Sequence, residues 1–146
     1  MAAHHCRISQ AVANAACNAI VDLCDVGGAG TLKIYTGTEP ANADAAAATL
    51  VATCALPNPA FSAAAWSSGD SGSKATLMAT ATDANATGNA SAVTHFRLVS
   101  LAAVALLQGT CSATAGDDLV LNNAVITAGS VVDITALAVI VPINQA

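Results

Sequence analysis

The stretch from residue 116 to residue 142 constrains the fold most, because apolar side chains recur in it at every second position. Side chains alternate between the two faces of a β-strand, so this spacing predicts strands. We expect a short strand at 119–121 and a long strand at 131–141. Residues 127–130 (TAGS) are predicted to form the turn between them, since Gly129 can adopt a positive φ.

The two faces of the long predicted strand differ in character. The face assigned to the core is apolar throughout and consists of Val132, Ile134, Ala136, Ala138 and Ile140. The opposite face is polar as far as Thr135 and continues with Leu137, Val139 and Val141. An apolar half-face of this kind needs a cover. A predicted helix at 10–25 and a neighbouring subunit are the alternatives, and the shortage of charged residues favours the neighbour for part of it.

Charged residues make up only 9% of the 146-residue chain, whereas hydrophobic residues make up 55% and aromatic residues 3%. Soluble globular domains usually carry about 25% charged residues, so this surface suits a chain that is packed against other protein. Much of the apolar content is alanine, which predicts a core of small methyl groups that buries little area per residue.

The same composition disfavours two classes of partner. Nucleic acid binding needs clustered basic side chains, but the four basic residues are scattered and the formal net charge is −5. A membrane-spanning helix needs roughly 18 consecutive apolar residues, and Asn, Asp, Thr or Gly interrupts every long apolar run. The first residues, MAAHHCRISQ, lack the pattern of a secretory signal. We therefore expect neither a nucleic acid nor a membrane as partner.

The five cysteines do not form a recognisable site. Their number is odd and no C-x-x-C pair occurs, which disfavours a zinc ribbon or a thioredoxin-type centre. We interpret them as buried thiols in a chain that folds in a reducing cytosol, with one adventitious disulfide as the alternative. The adjacent His4 and His5, next to Cys6, point to opposite sides of an extended chain, so no metal or other cofactor is expected.

Residues 1–8 are predicted to form an N-terminal arm, and residues 9–146 a single domain. Ser9 is a suitable N-cap for a helix at about 10–25. Apolar residues at three- and four-residue spacing predict one buried stripe on this helix, with the asparagines mainly on another side. The stripe consists of Ile8, Val12, Ala15, Ala16, Ala19, Ile20 and Leu23.

Short alternating segments separated by turn residues follow the helix and predict about seven or eight strands. Besides the two already described, they lie at 31–36, 49–56, 74–83, 92–100 and 103–109. The expected fold class is mainly β, an antiparallel β-sandwich or small barrel with one N-terminal α-helix. Lys33 and Tyr35 are predicted to face outward from one strand, and His95 and Arg97 from another. Residues 60–73 are predicted to form a loop.

No cluster of residues predicts catalysis. Cys54 or Cys111 could act as a nucleophile with His95 as base, but neither cysteine lies in a strand–turn–helix elbow. The glycine-rich residues 27–30 follow a helix and precede a strand, which is the reverse of the order in phosphate-binding loops. The acidic pair at 117–118 lacks the spacing of an EF-hand and is better explained as a turn before a strand. We therefore expect no enzyme activity.

Two large aromatic side chains, Trp66 and Phe61, stand out in this aromatic-poor chain. They could fill one end of the sandwich, or Trp66 could anchor a neighbouring subunit, as aromatic residues often do at interfaces. Both alternatives remain open from the sequence. The full set of candidate interface residues is Trp66, Phe61, Leu137, Val139, Val141, Ile8 and Val12.

Four segments of the chain follow one another in a familiar order. They are GGAGTLKIYTGTEPANADAAAATLVATCALPNPAF, THFRLV, LLQGTCS and GDDLVLNNAVITAGSVVDITALAVIVP. Together with the preceding helix they cover residues 9–142, and their order resembles that of a family of small virion-associated proteins of tailed phages and prophages. The chain departs from that pattern by its extra cysteines and by alanine in place of bulkier residues.

The resemblance implies a capsid decoration (cement) protein on the exterior of the virion, made in the cytoplasm of a bacterial host. The implied partners are the major capsid protein and further copies of the same chain, as a homotrimer, because binding on a symmetry axis of a repeating lattice adds avidity. The alternative is a tail or head-fibre component that binds host-surface glycans through loops 57–73 and 84–91. Such a protein needs exposed aromatic rings, and only Trp66 is a candidate.

Overall fold

The computed structural model of the protein describes residues 8–143, which contain one α-helix and ten β-strands. The predicted class, mainly β with a helix near the N-terminus in a sandwich- or barrel-like arrangement, is confirmed. Of the predicted arm at 1–8, Ile8 alone is described, and it is half-buried. His4, His5 and Cys6 lie outside the described residues.

The helix α1 spans Gln10–Asp22 and begins at Ser9, as predicted. The Ser9 hydroxyl accepts a hydrogen bond from the Val12 amide at 3.3 Å, which satisfies one of the free donors of the first turn. The chain leaves the helix before the predicted residue 25, through tight turns and Gly27, whose φ is +79°. Within residues 8–143 no helix is long and apolar enough to cross a membrane.

The buried face of α1 is not the predicted stripe. The buried side chains of this segment are those of Ala13, Cys17, Val21 and Cys24. Val12, which is 52% exposed, and Leu23 both lie on the side away from this buried face. Two members of the predicted stripe, Ala16 and Ile20, are half-buried, and Ile20 packs against the core, so the buried face is rotated from the predicted one rather than opposite to it. Alanine and cysteine on this face allow the helix to approach its neighbour closely.

The strands, in chain order, differ widely in length. They are β1 (Thr31–Thr36), β2 (Thr49–Ala55), β3 (Ala65–Ser67), β4 (Gly72–Thr76), β5 (Ala81–Asp83), β6 (Val93–Val99), β7 (Ala105–Ser112), β8 (Leu119–Val120), β9 (Val132–Ile134) and β10 (Ala138–Pro142). Seven of them form a curled large sheet in the order β8-β7-β6-β1-β2-β5-β9, and three form a small sheet in the order β10-β4-β3. All pairs are antiparallel except β7 with β8.

The core is one cluster of buried side chains to which the large sheet, the small sheet and α1 all contribute. On the large sheet, Leu32 stands opposite Leu98 and Ile34 opposite Phe96, and all four are buried. Their side chains share one face because paired residues of neighbouring strands point the same way.

Polar side chains of α1 fasten the helix to the small sheet. The Ser73 hydroxyl of β4 donates a hydrogen bond to the Asn14 side-chain carbonyl. The backbone amide of Ala64 donates to the corresponding oxygen of Asn18 at 2.7 Å. These asparagines were predicted to lie mainly away from the buried stripe, and they instead bind the layer on which the helix packs.

The predicted long strand at 131–141 is divided between the two sheets. β9 ends at Ile134 in the large sheet, and β10 begins at Ala138 in the small one. The predicted strand at 74–83 divides at the same level, since β4 pairs with β10 and β5 pairs with β9. The two segments thus form one antiparallel pair that bends from sheet to sheet, as strands do at the corners of sandwiches and barrels. This division, together with β3 in the predicted loop at 60–73, raises the strand number above the expectation.

The bend reverses the alternation predicted for the second half of the long strand. Val139 is 5% exposed and Leu137 is also buried, whereas Ile140 is 40% exposed. The Val139 side chain is buried within the single chain, and the Cys17 thiol of α1 lies 3.5 Å from the Val139 backbone carbonyl oxygen. The helix of the same chain therefore packs at Val139, whereas Val141 on the same predicted face is half-buried.

Val139→Asp is expected to lower the free energy of unfolding by about 3 kcal/mol or more, because it places an unpaired carboxylate in the core. Ile140→Asp is the matched control, since its side chain is partly exposed on the opposite face, and it should cost less than about 1 kcal/mol. Urea unfolding followed by circular dichroism measures both values. Equal losses for the two variants would contradict the assignment of Val139 to the core.

Candidate functional site

The candidate interface residues predicted from the sequence are divided between the core and the surface. Phe61, Leu137 and Val139 are buried in the central cluster of the chain. Leu137 and Val139 were predicted to face a neighbouring subunit, and in this fold they are already buried within the single chain. For Phe61, the alternative in which it fills the interior applies.

The other four candidates remain at least partly accessible. Val12 lies exposed on the outer side of α1, and Ile8, Trp66 and Val141 are half-buried. Trp66 belongs to β3, at the edge of the small sheet. None of the four aromatic side chains, all of which lie in the described part of the chain, is among the exposed large apolar residues.

An apolar strip runs along the outer side of α1 and continues past its end. It consists of Val12, Ala15, Ala19, Leu23, Val26 and Leu101, all exposed, and we call it the helix patch. The four helical members share one side because they follow at three- and four-residue spacing. Leu101 belongs to the turn between β6 and β7 and adjoins the strip, since its Cδ2 lies 3.0 Å from the place that a Cβ would take at Gly28. Exposed apolar patches are among the features that interaction sites on proteins share.

A cleft of about 440 Å³ separates the edge of β10 from β7. Among the described strands β10 pairs with β4 alone, and β7 meets β8 only at Cys111 and Ser112. Residues 138–141 at this edge carry no charge, and β10 ends at Pro142, a residue type that natural sheets use to protect open edges. The cleft therefore exposes an uncharged stretch of strand edge that proline protects at one end.

A buried polar cluster lies on the face of the large sheet that points away from the core. His95 is 0% exposed and Arg97 is 5% exposed, and Tyr35 beside them is also buried. The Tyr35 and His95 rings stack with their centroids 5.1 Å apart and their planes at 9°. The Arg97 guanidinium carbon lies 5.9 Å from the centroid of the Tyr35 ring. The alternation in β1 and β6 correctly predicts that these side chains point away from the core, but it does not indicate that they are buried.

The loop between β1 and β2, residues 37–48, is fastened to this face, and we call it the strap. The Gln108 side-chain amide donates hydrogen bonds to the Glu39 carboxylate at 3.0 Å and to the Pro40 carbonyl at 2.9 Å. The Thr94 hydroxyl donates to the Gly37 carbonyl at 2.7 Å. Every residue of the strap is exposed or half-buried, so polar contacts rather than core packing hold it.

Arg97 is a buried cation without a carboxylate partner among the described residues. Its Nε donates to the Gln108 side-chain oxygen at 2.9 Å, and its Nη2 donates to the Asn42 carbonyl at 3.4 Å. The salt bridge within residues 8–143 joins Lys74 to Asp70 instead. Because an unpaired buried charge is costly, these two acceptors and the Tyr35 ring have to offset its desolvation.

The surroundings of His95 and Tyr35 favour the uncharged form of each side chain. Burial lowers the pKa of His95 below its ordinary value; Glu39 opposes that shift, and Arg97 adds to it. Burial also raises the pKa of Tyr35, with Arg97 opposing. His95 and Tyr35 are therefore both uncharged near neutral pH.

The hypothetical pairing of a cysteine nucleophile with His95 is excluded by the sheet geometry. Cys54 stands opposite Leu32 on the core face, whereas His95 stands opposite Tyr35 on the other face. Burial raises the pKa of Cys54 and of Cys111 to about 12, so neither offers a thiolate near neutral pH. The four described cysteines are free and buried, which confirms for them the interpretation as small apolar residues.

The acidic pair at 117–118 forms the turn that was predicted. The Asp118 carboxylate accepts hydrogen bonds from the Thr110 amide at 2.9 Å and from its hydroxyl at 3.0 Å, next to the start of β8. No group of three or more His, Cys, Asp or Glu side chains that could hold a metal ion occurs between residues 8 and 143.

Comparisons of the chain with protein-family models, with curated protein sequences and with solved structures find no match.

Arg97→Ala is expected to lower the free energy of unfolding by about 2–4 kcal/mol, because it leaves the Gln108 oxygen and the Asn42 carbonyl without their donor. Lys33→Ala is the control: Lys33 stands opposite Arg97 on the same face of β1 and is half-buried, and its loss should cost about 0.5 kcal/mol or less. Denaturant unfolding at neutral pH measures both. A loss for Arg97→Ala as small as the control's would show that the cluster contributes nothing to stability.

Proposed function

We propose that this protein is a structural component of a phage virion, a capsid decoration protein that binds the head shell and further copies of itself. The observation that carries the proposal is the helix patch, an exposed apolar strip on a chain in which charged residues make up 9%. The resemblance of residues 9–142 to small virion-associated proteins supports the same conclusion from the sequence.

The helix patch can supply the free energy of a protein contact. Fully burying a Val or Leu side chain contributes about 1.5–3 kcal/mol, and Val12, Leu23, Val26 and Leu101 are each roughly half exposed. An interface therefore gains about 1 kcal/mol from each of them. The alanines between them allow the backbone of a partner to come close. A patch of this kind on every copy suits assembly around a symmetry axis, and we propose a homotrimer.

The proposal assigns the chain no reaction. On the large sheet Cys54 and Cys111 are buried on the core face and His95 on the opposite face, and the pKa of each is shifted toward the neutral form. The remaining polar groups of the cluster bind the strap. The alternative of a glycan-binding fibre component gains no support, because Trp66 is half-buried and the other three rings are buried.

The test uses purified particles of a phage or prophage that encodes the chain. Its gene is deleted, and the particles are incubated with the wild-type protein, with Val12→Asp or with Val131→Asp. We expect the wild-type protein to bind the heads and to raise their resistance to heat, and Val12→Asp to bind weakly or not at all. Val131 is exposed in the segment before β9, away from the helix patch, so Val131→Asp should bind as the wild type does.

Two results would count against the proposal. If heads take up none of the wild-type protein and resist heat equally well with and without the gene, the chain is not a decoration protein. If Val12→Asp binds as strongly as the wild type, the helix patch is not the contact surface. Both side chains are exposed, so both variants should unfold at the same midpoint as the wild type. Equal midpoints separate an effect on binding from an effect on folding.

A further inference from the structure

The hydrogen bonds around His95 determine which of its ring nitrogens carries the proton. The Thr94 hydroxyl lies 2.9 Å from His95 Nδ1 and donates its single proton to the Gly37 carbonyl. The contact with Nδ1 therefore requires that Nδ1–H is the donor and the Thr94 oxygen the acceptor. In the neutral ring Nε2 therefore carries no proton and has a lone pair that can only accept a hydrogen bond. Nε2 is buried and has no hydrogen-bond partner among residues 8–143.

Adding a proton to Nε2 is unfavourable while the strap is closed. The proton, taken from the solvent, creates a second N–H group, and no acceptor of the described residues is in place for it. It also creates a positive charge in a desolvated site two residues from the buried Arg97. A buried donor without a partner and an unpaired buried charge each destabilise the state that contains them.

The surrounding groups do not cancel this penalty. The charged or titratable side chains near this face are those of Tyr35 and Lys33 on β1, Arg97 on β6, Glu39 and Asp44 on the strap, and Asp118 beside β7. Glu39 is the one acid that acts on His95, and it favours the charged ring. Its carboxylate is already engaged by Gln108, and burial together with Arg97 outweighs it, so the pKa of His95 is lowered overall.

The strap is the part of this site that can respond. Polar contacts from Thr94, Arg97 and Gln108 hold it to the sheet, and its own side chains are exposed or half-buried. Segments with few buried apolar contacts open at much lower free energy than the core. We propose that acid releases the strap from the large sheet, with His95 as the residue that takes up the proton.

The direction of the pH dependence follows from the two states. With the strap open and water at Nε2, His95 has its ordinary pKa of about 6.5, and in the closed state its pKa is lower. The closed state therefore binds fewer protons, so its advantage is complete above about pH 6.5 and declines below it. The ratio of open to closed molecules rises up to about tenfold for each pH unit, until the closed state is protonated as well.

Hydrogen exchange of the Gln108 side-chain amide, followed by NMR, tests this directly, because that amide donates to Glu39 and Pro40 of the strap. Its protection is measured between about pH 7.5 and pH 5, with correction for the intrinsic exchange rate. In the wild-type protein we expect this protection to fall below about pH 6.5, by up to about tenfold for each pH unit. Backbone amides of α1 and the small sheet should keep theirs. His95→Phe retains a ring against Tyr35 but cannot titrate, and its Gln108 amide should show no such fall.

The other histidines of the chain provide the control. The double variant His4→Asn, His5→Asn removes the two remaining histidines and should respond to acid as the wild type does. The proposal is overturned if the Gln108 side-chain amide of the wild-type protein keeps its protection, if that of His95→Phe loses protection equally, or if α1 and the small sheet lose protection together with it. Should His95→Phe fail to fold, His95→Gln provides the same comparison.

Discussion

The packing of α1 on the small sheet is the contact on which the rest of the structure depends. An isolated pair of strands is at best marginally stable in water, and packing against a helix is one of the ways in which a small sheet becomes stable. α1 supplies this second layer with Ala13, Cys17 and Val21, whose small or branched side chains lie against β4 and β10. Asn14 and Asn18 set its position through hydrogen bonds to the sheet layer. The alanine-rich composition, which gives a thin core, is compatible with this close approach.

The division of the apolar residues between core and surface follows from that contact. Because α1 turns the face with Ala13, Cys17 and Val21 inward, Val12 and the C-cap residue Leu23 are left outside, where they belong to the helix patch. The chain has few charged residues with which to surround this surface, and that combination suits a protein that works within an assembly. The opposite side of the large sheet follows different chemistry. There the loop at 37–48 is held over the face of the buried Arg97 and His95 by polar contacts, so the molecule combines an apolar layer with a polar one.

The sequence predicts the elements of this fold better than their arrangement. Ser9 marks the start of the helix, and period-two alternation correctly identifies β1, β2 and β6. The same alternation wrongly predicts one continuous strand at 131–141. The bend leaves no mark in the local sequence pattern, because it depends on the partner segment at 74–83 bending at the same level. The burial of His95 and Arg97 is a further case. Their shared face can be read from the spacing, but the cover comes from a loop whose alanine-rich residues contain no signal for where they bind.

The central claim is that α1 covers the small sheet within one chain, so that the surface left over is the helix patch. An isotope-filtered NOESY spectrum of a one-to-one mixture of ¹³C-labelled and unlabelled protein measures this most directly. We expect contacts between the Val139 methyl groups and Cys17 in the uniformly labelled protein, and none of them in the filtered spectrum of the mixture, because both residues belong to the same molecule. The same contacts in the filtered spectrum would contradict that claim, because they would show that the helix of a neighbouring copy covers Val139.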